Sequence, residues 1–253
     1  MTDKGKRAEQ PEIYKIPDTS KIPETSKWSG TSQIAEMAEI PGIAERQERW
    51  GKLEEDLCAF TVPELCDGMD VPECMDAEIK QRVGKGRIIG RAFTIKVPPG
   101  EGAIITEAIL KAQPGDILVI AGRGHCTTSY WGDHRSLCAK KKGIRGIVID
   151  GAFRDLAGCE QAGIPIFAKG LTAATAGKSG VGALQVPVAC GGIVVCPGDY
   201  IAADENGVCV IKADEAERIL KRAARKTAAQ KAAAEEMERT GTVIPRIRWD
   251  KNI

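Results

Sequence analysis

The sequence predicts an α/β protein in which a parallel βαβ core is followed by β-hairpins and a long C-terminal helix. Three observations indicate this class. Short runs rich in valine and isoleucine alternate with helical stretches of about ten residues. Turns rich in glycine, proline and aspartate then separate still shorter apolar runs. An alanine-, lysine- and glutamate-rich segment follows them.

The first 45 of the 253 residues are polar and interrupted by prolines. They contain a tandem hexad, from Lys15 to Ser20 and again from Lys21 to Ser26, and two copies are too few for a solenoid. Pro17 and Pro23 disfavour helix at the residues before them, and the segment has little to bury. We therefore expect an extended arm over residues 1–45 that orders only on a neighbouring subunit.

The core begins where the pattern becomes helical, over residues 43–60. Thr61 is then a candidate N-cap, with Pro63 in the first turn and Glu64 three residues on, which predicts a short helix over 62–69. The alternation that follows predicts strands over 88–97, 117–121, 146–149 and 164–168, with helices over 103–111 and 133–142.

Beyond Gly170 the pattern is typical of hairpins. Glycine- and aspartate-containing turns separate four predicted strands, at residues 186–188, 193–195, 200–203 and 208–211. A long helix over 214–239 begins with acidic residues that match the helix dipole, and Gly241 ends it. The predicted organisation is an arm (1–45), a core (46–212) and a C-terminal helix with its tail (213–253).

Composition excludes several classes of protein. With 36 Lys+Arg against 35 Asp+Glu, no bulk charge favours a nucleic acid or an anionic membrane as partner. The apolar runs are far shorter than the ~20 residues of a transmembrane helix, and the charged N-terminus lacks a secretory signal. We expect a cytoplasmic protein. Nine cysteines without a C-x-x-C pair, and only two histidines, favour reduced, buried thiols over disulfides or a zinc site.

Two nucleotide-binding motifs are incomplete. A phosphate-binding loop ending at Gly177-Lys178-Ser179 would need glycine at position 172, which is threonine, and a helix where residues 183–187 form none. The glycines at 122 and 124 follow a strand, but position 127 is threonine and no helix opens there. We therefore expect neither an ATPase nor a Rossmann cofactor site.

Gly132-Asp133 opens a predicted helix, and Arg154-Asp155 follows the next strand after twenty intervening residues. Helix, strand and turn can bring both pairs to one edge of the sheet. One interpretation is local: Asp133 caps a helix, and Arg154-Asp155 is a solvated turn pair. The functional interpretation is an anion site at the free N–H groups of residues 133–136, with Arg154 as a fixed cation and Asp155 as a hard oxygen ligand.

These pairs and the segments around them resemble the class II 4-hydroxy-4-methyl-2-oxoglutarate aldolases, whose family also holds the protein regulator of ribonuclease activity A. The resemblance covers about residues 55–225 and rests on the D-x20-R-D spacing and on residues 90–94, 114–120, 132–133, 146–155, 165–168, 187–193 and 197–208. It implies an RraA-like swivelling α/β core with a β-sandwich or barrel, similar to phosphohistidine domains. It also implies trimers or hexamers with active sites between subunits.

The resemblance also implies roles for individual residues. Asp155 would hold Mg²⁺ or Mn²⁺, Arg154 would contact the substrate carbonyl, and Asp133 would orient metal-bound water. The backbone from Gly132 through His134 to Arg135 would receive a carboxylate. Because a metal ion and Arg154 can together stabilise the pyruvate enolate left by C–C cleavage, the site needs neither a Schiff-base lysine nor a histidine base.

Two features depart from the family pattern. Small or apolar residues usually follow the Gly-Asp pair, whereas His134, Arg135 and Ser136 follow it here; Arg135 either binds a second anionic group or points to solvent. In the aldolases an acid near the C-terminus reaches the neighbour's metal site, a role for which Glu235 and Glu236 are the candidates. The alanines of the long helix permit close approach to such a neighbour, and a trimer or a pair of trimers is expected.

The expected function is a metal-dependent lyase that cleaves a 4-hydroxy-2-oxo acid to pyruvate, with oxaloacetate decarboxylation as a candidate side activity. Two alternatives remain open. One is a non-catalytic regulator that binds a ribonuclease or another protein. The other is a lyase or hydratase that acts on a different oxo-acid skeleton with the same metal chemistry.

Overall fold

A computed structural model describes the backbone of residues 43–250 and the side chains of residues 51–250. The predicted arm lies outside the described residues as far as position 42. Residues 43–45, which we had assigned to the arm, begin a helix, in agreement with the helical pattern that starts at Ile43. The described residues from 47 to 250 belong to one compact unit, to which the following description applies.

The described elements agree with most of the predicted ones. The helices are α1 (Ile43–Cys58), α2 (Val62–Gly68), α3 (Ile104–Lys111), α4 (Asp133–Lys142), α5 (Leu156–Ala162) and α6 (Ala216–Thr240). The strands are β1 (Lys80–Val83), β2 (Ile88–Lys96), β3 (Ile117–Trp131), β4 (Gly146–Phe153), β5 (Ile166–Leu171), β6 (Ala183–Leu184), β7 (Val188–Cys190), β8 (Ile193–Val195), β9 (Tyr200–Asp204) and β10 (Gly207–Ile211).

One sheet organises the unit, with strand order β1-β5-β4-β3-β2-β9-β10 and β6 paired to β2. Strands β2, β3, β4 and β5 are mutually parallel, which confirms the predicted βαβ core. Strand β9 pairs antiparallel with β2 and with β10, and β7 and β8 form a separate hairpin, as the turn-rich sequence predicted.

The two edges of this sheet approach each other through the segment that precedes β1. Cys74 pairs antiparallel with Cys209 of β10. The Met75 N–H donates to the Val208 carbonyl, and the chain then enters β1 at the opposite edge of the sheet. The sheet is therefore a nearly closed barrel, which confirms the expected barrel-like α/β fold.

Helix α2 starts as predicted, because the Thr61 and Glu64 side chains and backbones bond reciprocally in a capping box. It packs against the start of α6 so closely that a Cβ at Gly68 would lie 2.5 Å from the Ile219 carbonyl oxygen. The buried residues of α6 all lie in its first two turns, and Gly241 ends the helix in the left-handed conformation. Most of its alanine-rich length is thus left partly or fully exposed in the single chain.

Two further predictions are tested within the described part of the chain. No helix there is both long and apolar enough to cross a membrane. All nine cysteines are unpaired, but only Cys159, Cys190 and Cys209 are buried. The expectation of full burial was therefore wrong for the other six, of which three are half-buried and three exposed, because they lie on helices, in turns or in the irregular second half of β3.

Candidate active site

A cavity of about 340 Å³ lies at the carboxyl ends of the parallel strands. Residues that line the cavity follow each of the four strands. Gly102 follows β2, Asp133 follows β3, Asp155 follows β4, and the loop 175–178 follows β5. Carboxyl ends of neighbouring parallel strands meet at one edge, which is where ligands bind in open α/β sheets. The remaining lining residues are Ser129, Trp131, Gly132, His134, Arg135 and Arg154.

The structure brings together the two residue pairs that the spacing singled out. The Arg154 N–H donates to the Trp131 carbonyl at 3.0 Å, which joins the ends of β4 and β3. A Cβ built on Gly132 would lie 2.7 Å from Asp155 Oδ2, so any side chain there would displace that carboxylate. Glycine at position 132 therefore leaves room for the Asp155 carboxylate.

Asp155 has an unusual backbone for a residue with a side chain. Its φ of 59° and ψ of 47° are left-handed, a conformation that aspartate and asparagine tolerate better than most residues other than glycine and that concentrates at functional sites. Its carbonyl accepts the Cys159 N–H of α5, and its Oδ2 accepts the Arg154 Nε–H at 3.0 Å. Both side chains keep about two fifths of their surface exposed, at 41% for Arg154 and 37% for Asp155, so they remain accessible to a ligand.

Asp133 is not the helix N-cap that its local interpretation required. Gly132 is the cap and Asp133 the first residue of α4, where its Oδ1 accepts the N–H of His134. The Ser136 N–H donates to the Gly132 carbonyl. Two of the four N–H groups expected to be free are thus engaged within the chain, one by the Asp133 carboxylate and one by the first backbone hydrogen bond of the helix. The predicted carboxylate pocket must rely more on side-chain cations than we expected.

Arg135 does not follow the second of its two predicted courses, and its binding of a second anionic group stays a prediction. Its guanidinium donates to the Tyr130 carbonyl and, at 2.7 Å, to the Gly102 carbonyl, so it does not point freely to solvent. Burial lowers its pKa, and the nearby charge of Arg154 lowers that pKa further. Arg135 therefore links the end of β3 to the loop after β2, and its positive charge remains in the cavity wall.

The loop after β5 is a part of the site that the sequence analysis missed. The Gly102 N–H donates to the Gly177 carbonyl, and the Glu101 carboxylate accepts the Ser179 N–H at 2.9 Å, which anchors the loop. Lys178 lies between these anchors and lines the cavity. No helix follows the loop, which confirms the prediction that residues 183–187 form none. The Gly-Lys pair was nonetheless a signal for a cation on an exposed turn.

Among the described side chains that line the cavity, Asp133 and Asp155 are the only carboxylates. Across the described side chains, no three His, Cys, Asp or Glu residues are grouped so that they could hold a metal ion. A zinc cage is therefore a poor fit. Mg²⁺ fits better, since it binds proteins through one or two carboxylates and fills its other positions with water and substrate oxygens.

Glu235 and Glu236 do not line the cavity of their own chain. Both lie on α6, where Glu236 forms an ion pair with Arg239 at 2.6 Å. Their contribution to a neighbour's metal site stays a prediction. The cavity wall of the single chain carries three basic side chains, Arg135, Arg154 and Lys178, against two carboxylates. This balance favours an anionic ligand.

Comparisons with known proteins agree with the fold. The RraA-like profile of the Aldolase/RraA family matches residues 62–210, which include every residue that lines the cavity. A Halalkalibacterium halodurans protein with the provisional name 4-hydroxy-4-methyl-2-oxoglutarate aldolase is 37% identical over 170 residues, or 66% of this chain and 81% of that protein.

Two solved structures extend the comparison. Streptomyces coelicolor RraAS2, described as an unusual member of the RNase ES inhibitor RraA family, superimposes with a TM-score of 0.65 at 28% identity. The match covers 76% of this chain and 98% of that one. The RNA-processing inhibitor RraA from Thermus thermophilis gives a TM-score of 0.52 at 28% identity, over 55% of this chain and 84% of that one.

Proposed function

Because the chain belongs to the Aldolase/RraA family, we propose that it is a divalent-metal-dependent lyase that cleaves a 4-hydroxy-2-oxo acid to pyruvate. Family membership alone leaves the choice between lyase and regulator open, since the family includes non-catalytic members. The observation that carries the proposal is the contact between Arg154 and Asp155 at the wall of a cavity that also holds Asp133. A protein-binding surface has no need of this arrangement.

The cations of the cavity would bind the substrate. Arg154 and Lys178 line the same cavity and offer positive charge to the carboxylate groups of an oxo acid. Arg154 is held by its backbone bond to Trp131 and by its Nε–H bond to Asp155. We assign its guanidinium to the keto oxygen, where negative charge develops when the C–C bond breaks and its electron pair stays with the pyruvate fragment.

Asp155 is the side chain that would hold Mg²⁺ or Mn²⁺, and Glu235 or Glu236 of a neighbouring subunit could add a second carboxylate. The ion, when bound, would supply further positive charge to polarise the substrate carbonyl. Asp133 accepts the His134 N–H through Oδ1, which orients its carboxylate. We assign its second oxygen to a water that takes the proton from the substrate hydroxyl.

Steady-state assays on a panel of 4-hydroxy-2-oxo acids, with oxaloacetate included, would test the proposal. We expect pyruvate release that requires Mg²⁺ or Mn²⁺, is lost with EDTA and returns when the metal is restored. Turnover that is indifferent to EDTA, or no turnover on any acid of the panel, would contradict it. The preferred C4 substituent is read from the same panel, and so is the choice between aldol cleavage, decarboxylation and hydration.

The regulator alternative is supported by the solved relatives whose titles name RNA-processing or RNase inhibition, at 28% identity. If the chain is a regulator, we expect the intact protein to inhibit a ribonuclease, and we expect the same inhibition when Asp155 is replaced by Asn. The lyase proposal expects the opposite dependence: turnover that Asp155→Asn removes. Running both assays on the same two preparations separates the alternatives.

We also propose that the chain assembles as a trimer or a pair of trimers, with α6 laid over a neighbour. The support is that burial in α6 is confined to its first two turns, although the helix continues to Thr240. Light scattering should then give a mass of three or six times 27.1 kDa. A fully active monomer would rule out a site shared between subunits.

A further inference from the structure

Three cysteines meet at the seam of the barrel, outside the cavity. Cys66 lies in α2, Cys74 in the segment that pairs with β10, and Cys209 in β10 itself. The sulfur atoms of Cys66 and Cys74 are 3.2 Å apart, and Cys209 hydrogen-bonds to Cys66. Neither the proposed lyase chemistry nor the packing of the core explains why two thiols should be in such close contact.

The geometry suits bond formation between the first two thiols. A disulfide needs a sulfur separation of about 2.05 Å, so the pair must close by roughly 1 Å. The intervening turn is already formed, because the Met69 N–H donates to the Cys66 carbonyl and the Glu73 N–H to the Met69 sulfur. Cys74 is exposed and Cys66 half-buried, whereas Cys209 is fully buried. An oxidant therefore reaches Cys74 before the others.

We propose that Cys66 and Cys74 form a thiol oxidation site that closes to a disulfide on exchange with a small-molecule disulfide. In this exchange a Cys74 thiolate attacks one sulfur of the reagent and releases the first reagent thiol. Cys66 then attacks the mixed disulfide and releases the second. The two cysteines lose two protons and two electrons, and one reagent disulfide becomes two thiols.

The surroundings make this site slow to react. The hydrogen bond to Cys209 and burial raise the pKa of Cys66 to about 12, and the hydrogen bond to Cys66 and burial raise the pKa of Cys74 as well. Because the thiolate is the attacking species, both thiols react less readily than an ordinary cysteine. The site therefore responds to sustained exposure to an oxidant and not to a brief pulse.

Closure would link α2 to the segment that completes the barrel. The disulfide would close a short loop, between residues eight apart in sequence. Loop closure of this size restricts the unfolded chain enough to raise the melting temperature by about 5 °C in a domain of this size. The site is distant in sequence from the cavity residues and does not rest on the proposed lyase activity.

The test uses the full-length protein, first reduced and then held for hours in glutathione buffers of increasing oxidised fraction. We expect an intact mass lower by about 2 Da, from two lost hydrogens. After alkylation of the remaining thiols, peptide mapping should locate the new bond between Cys66 and Cys74. The melting temperature should rise by about 5 °C and fall back on reduction.

Cys66→Ser and Cys74→Ser should each abolish the 2 Da loss, whereas Cys138→Ser, which removes an exposed thiol of α4, should keep it. Mapping on the unmodified protein needs no variant, so a variant that fails to fold does not weaken the test. Unchanged mass, glutathione adducts without an internal bond, or a bond mapped to Cys209 would each overturn the proposal.

Discussion

Two pairs of aspartates, one in the parallel half of this barrel and one in the antiparallel half, are used in opposite ways. Asp133 and Asp155 follow the carboxyl ends of two parallel strands, where they are exposed and line a cavity. In the antiparallel half, Asp199 and Asp204 are 5% and 1% exposed and engaged with the chain. Asp204 accepts the N–H groups of Val62 and Asn206. A carboxylate whose hydrogen bonds are satisfied within the chain therefore stabilises the fold, whereas a carboxylate that keeps accessible oxygens is available to a ligand.

The backbone shows the same contrast. Asp155 holds a left-handed conformation next to a glycine that leaves room for its carboxylate. At the tight turn between β9 and β10, the left-handed position is Gly207, where no side chain is strained. At these two positions, strain is retained beside the cavity and avoided in the β9–β10 turn, whereas Arg123 and Gln185 are left-handed outside the cavity.

Replacing Asp155 by Asn should cause the largest loss of activity at the cavity. Asn tolerates the left-handed conformation and has nearly the same shape, so the fold should persist. The charge that we assign to the metal is lost, and kcat on the best substrate should fall to the background rate. Steady-state kinetics at saturating Mg²⁺ check this, with the melting curve as the control for folding. Near-parental kcat would refute the assignment.

Arg154→Ala should lower kcat about 10²–10³-fold, because it removes the fixed charge opposite the developing enolate. Arg123→Ala is the matched control. Arg123 is also exposed, but it does not line this cavity, and its left-handed backbone carries a Cβ equally in Arg and in Ala. The control should keep its kcat. Equal losses in both variants would show that the effect is not specific to the cavity.

Asp204→Ala tests whether a buried aspartate of the antiparallel half stabilises the fold. The change leaves the buried N–H of Val62 without its acceptor and removes the partner of Arg87, which lies 3.9 Å away. We expect the free energy of unfolding to fall by about 2–3 kcal/mol while kcat below the melting transition stays unchanged. The exposed neighbour Glu205 is the control, and Glu205→Ala should stay within about 0.5 kcal/mol of the parent in urea titrations.

Asp155→Gly should produce the smallest change in stability and the most informative one. Glycine relieves the left-handed strain, so stability should rise by up to about 1 kcal/mol while catalysis is lost. Urea midpoints for this variant and for Asp155→Asn separate backbone strain from charge. A destabilised Asp155→Gly protein would mean that the lost Arg154–Asp155 ion pair and the greater freedom of glycine in the unfolded chain together outweigh the relieved strain.

Much of the fold could be predicted because its signals are local. Apolar runs placed the parallel strands, and the Thr61-Glu64 capping box placed the start of α2. The second half of β3 was missed, since residues 122–131 are rich in glycine and polar side chains, and its pairing with β4 is interrupted by register shifts. Helix α5 was missed as well, because seven residues with two buried positions give too short a pattern.

The candidate site could likewise be predicted only in part from the sequence. The spacing between Gly132-Asp133 and Arg154-Asp155 was enough to place both pairs at one sheet edge, because one helix and one strand must return the chain to that edge. Which N–H groups remain for a ligand, where Arg135 points, and that Lys178 lines the cavity were decided only by the tertiary structure. Each of these depends on contacts such as Arg135 with Gly102, between residues that are remote in sequence and whose partners no local pattern specifies.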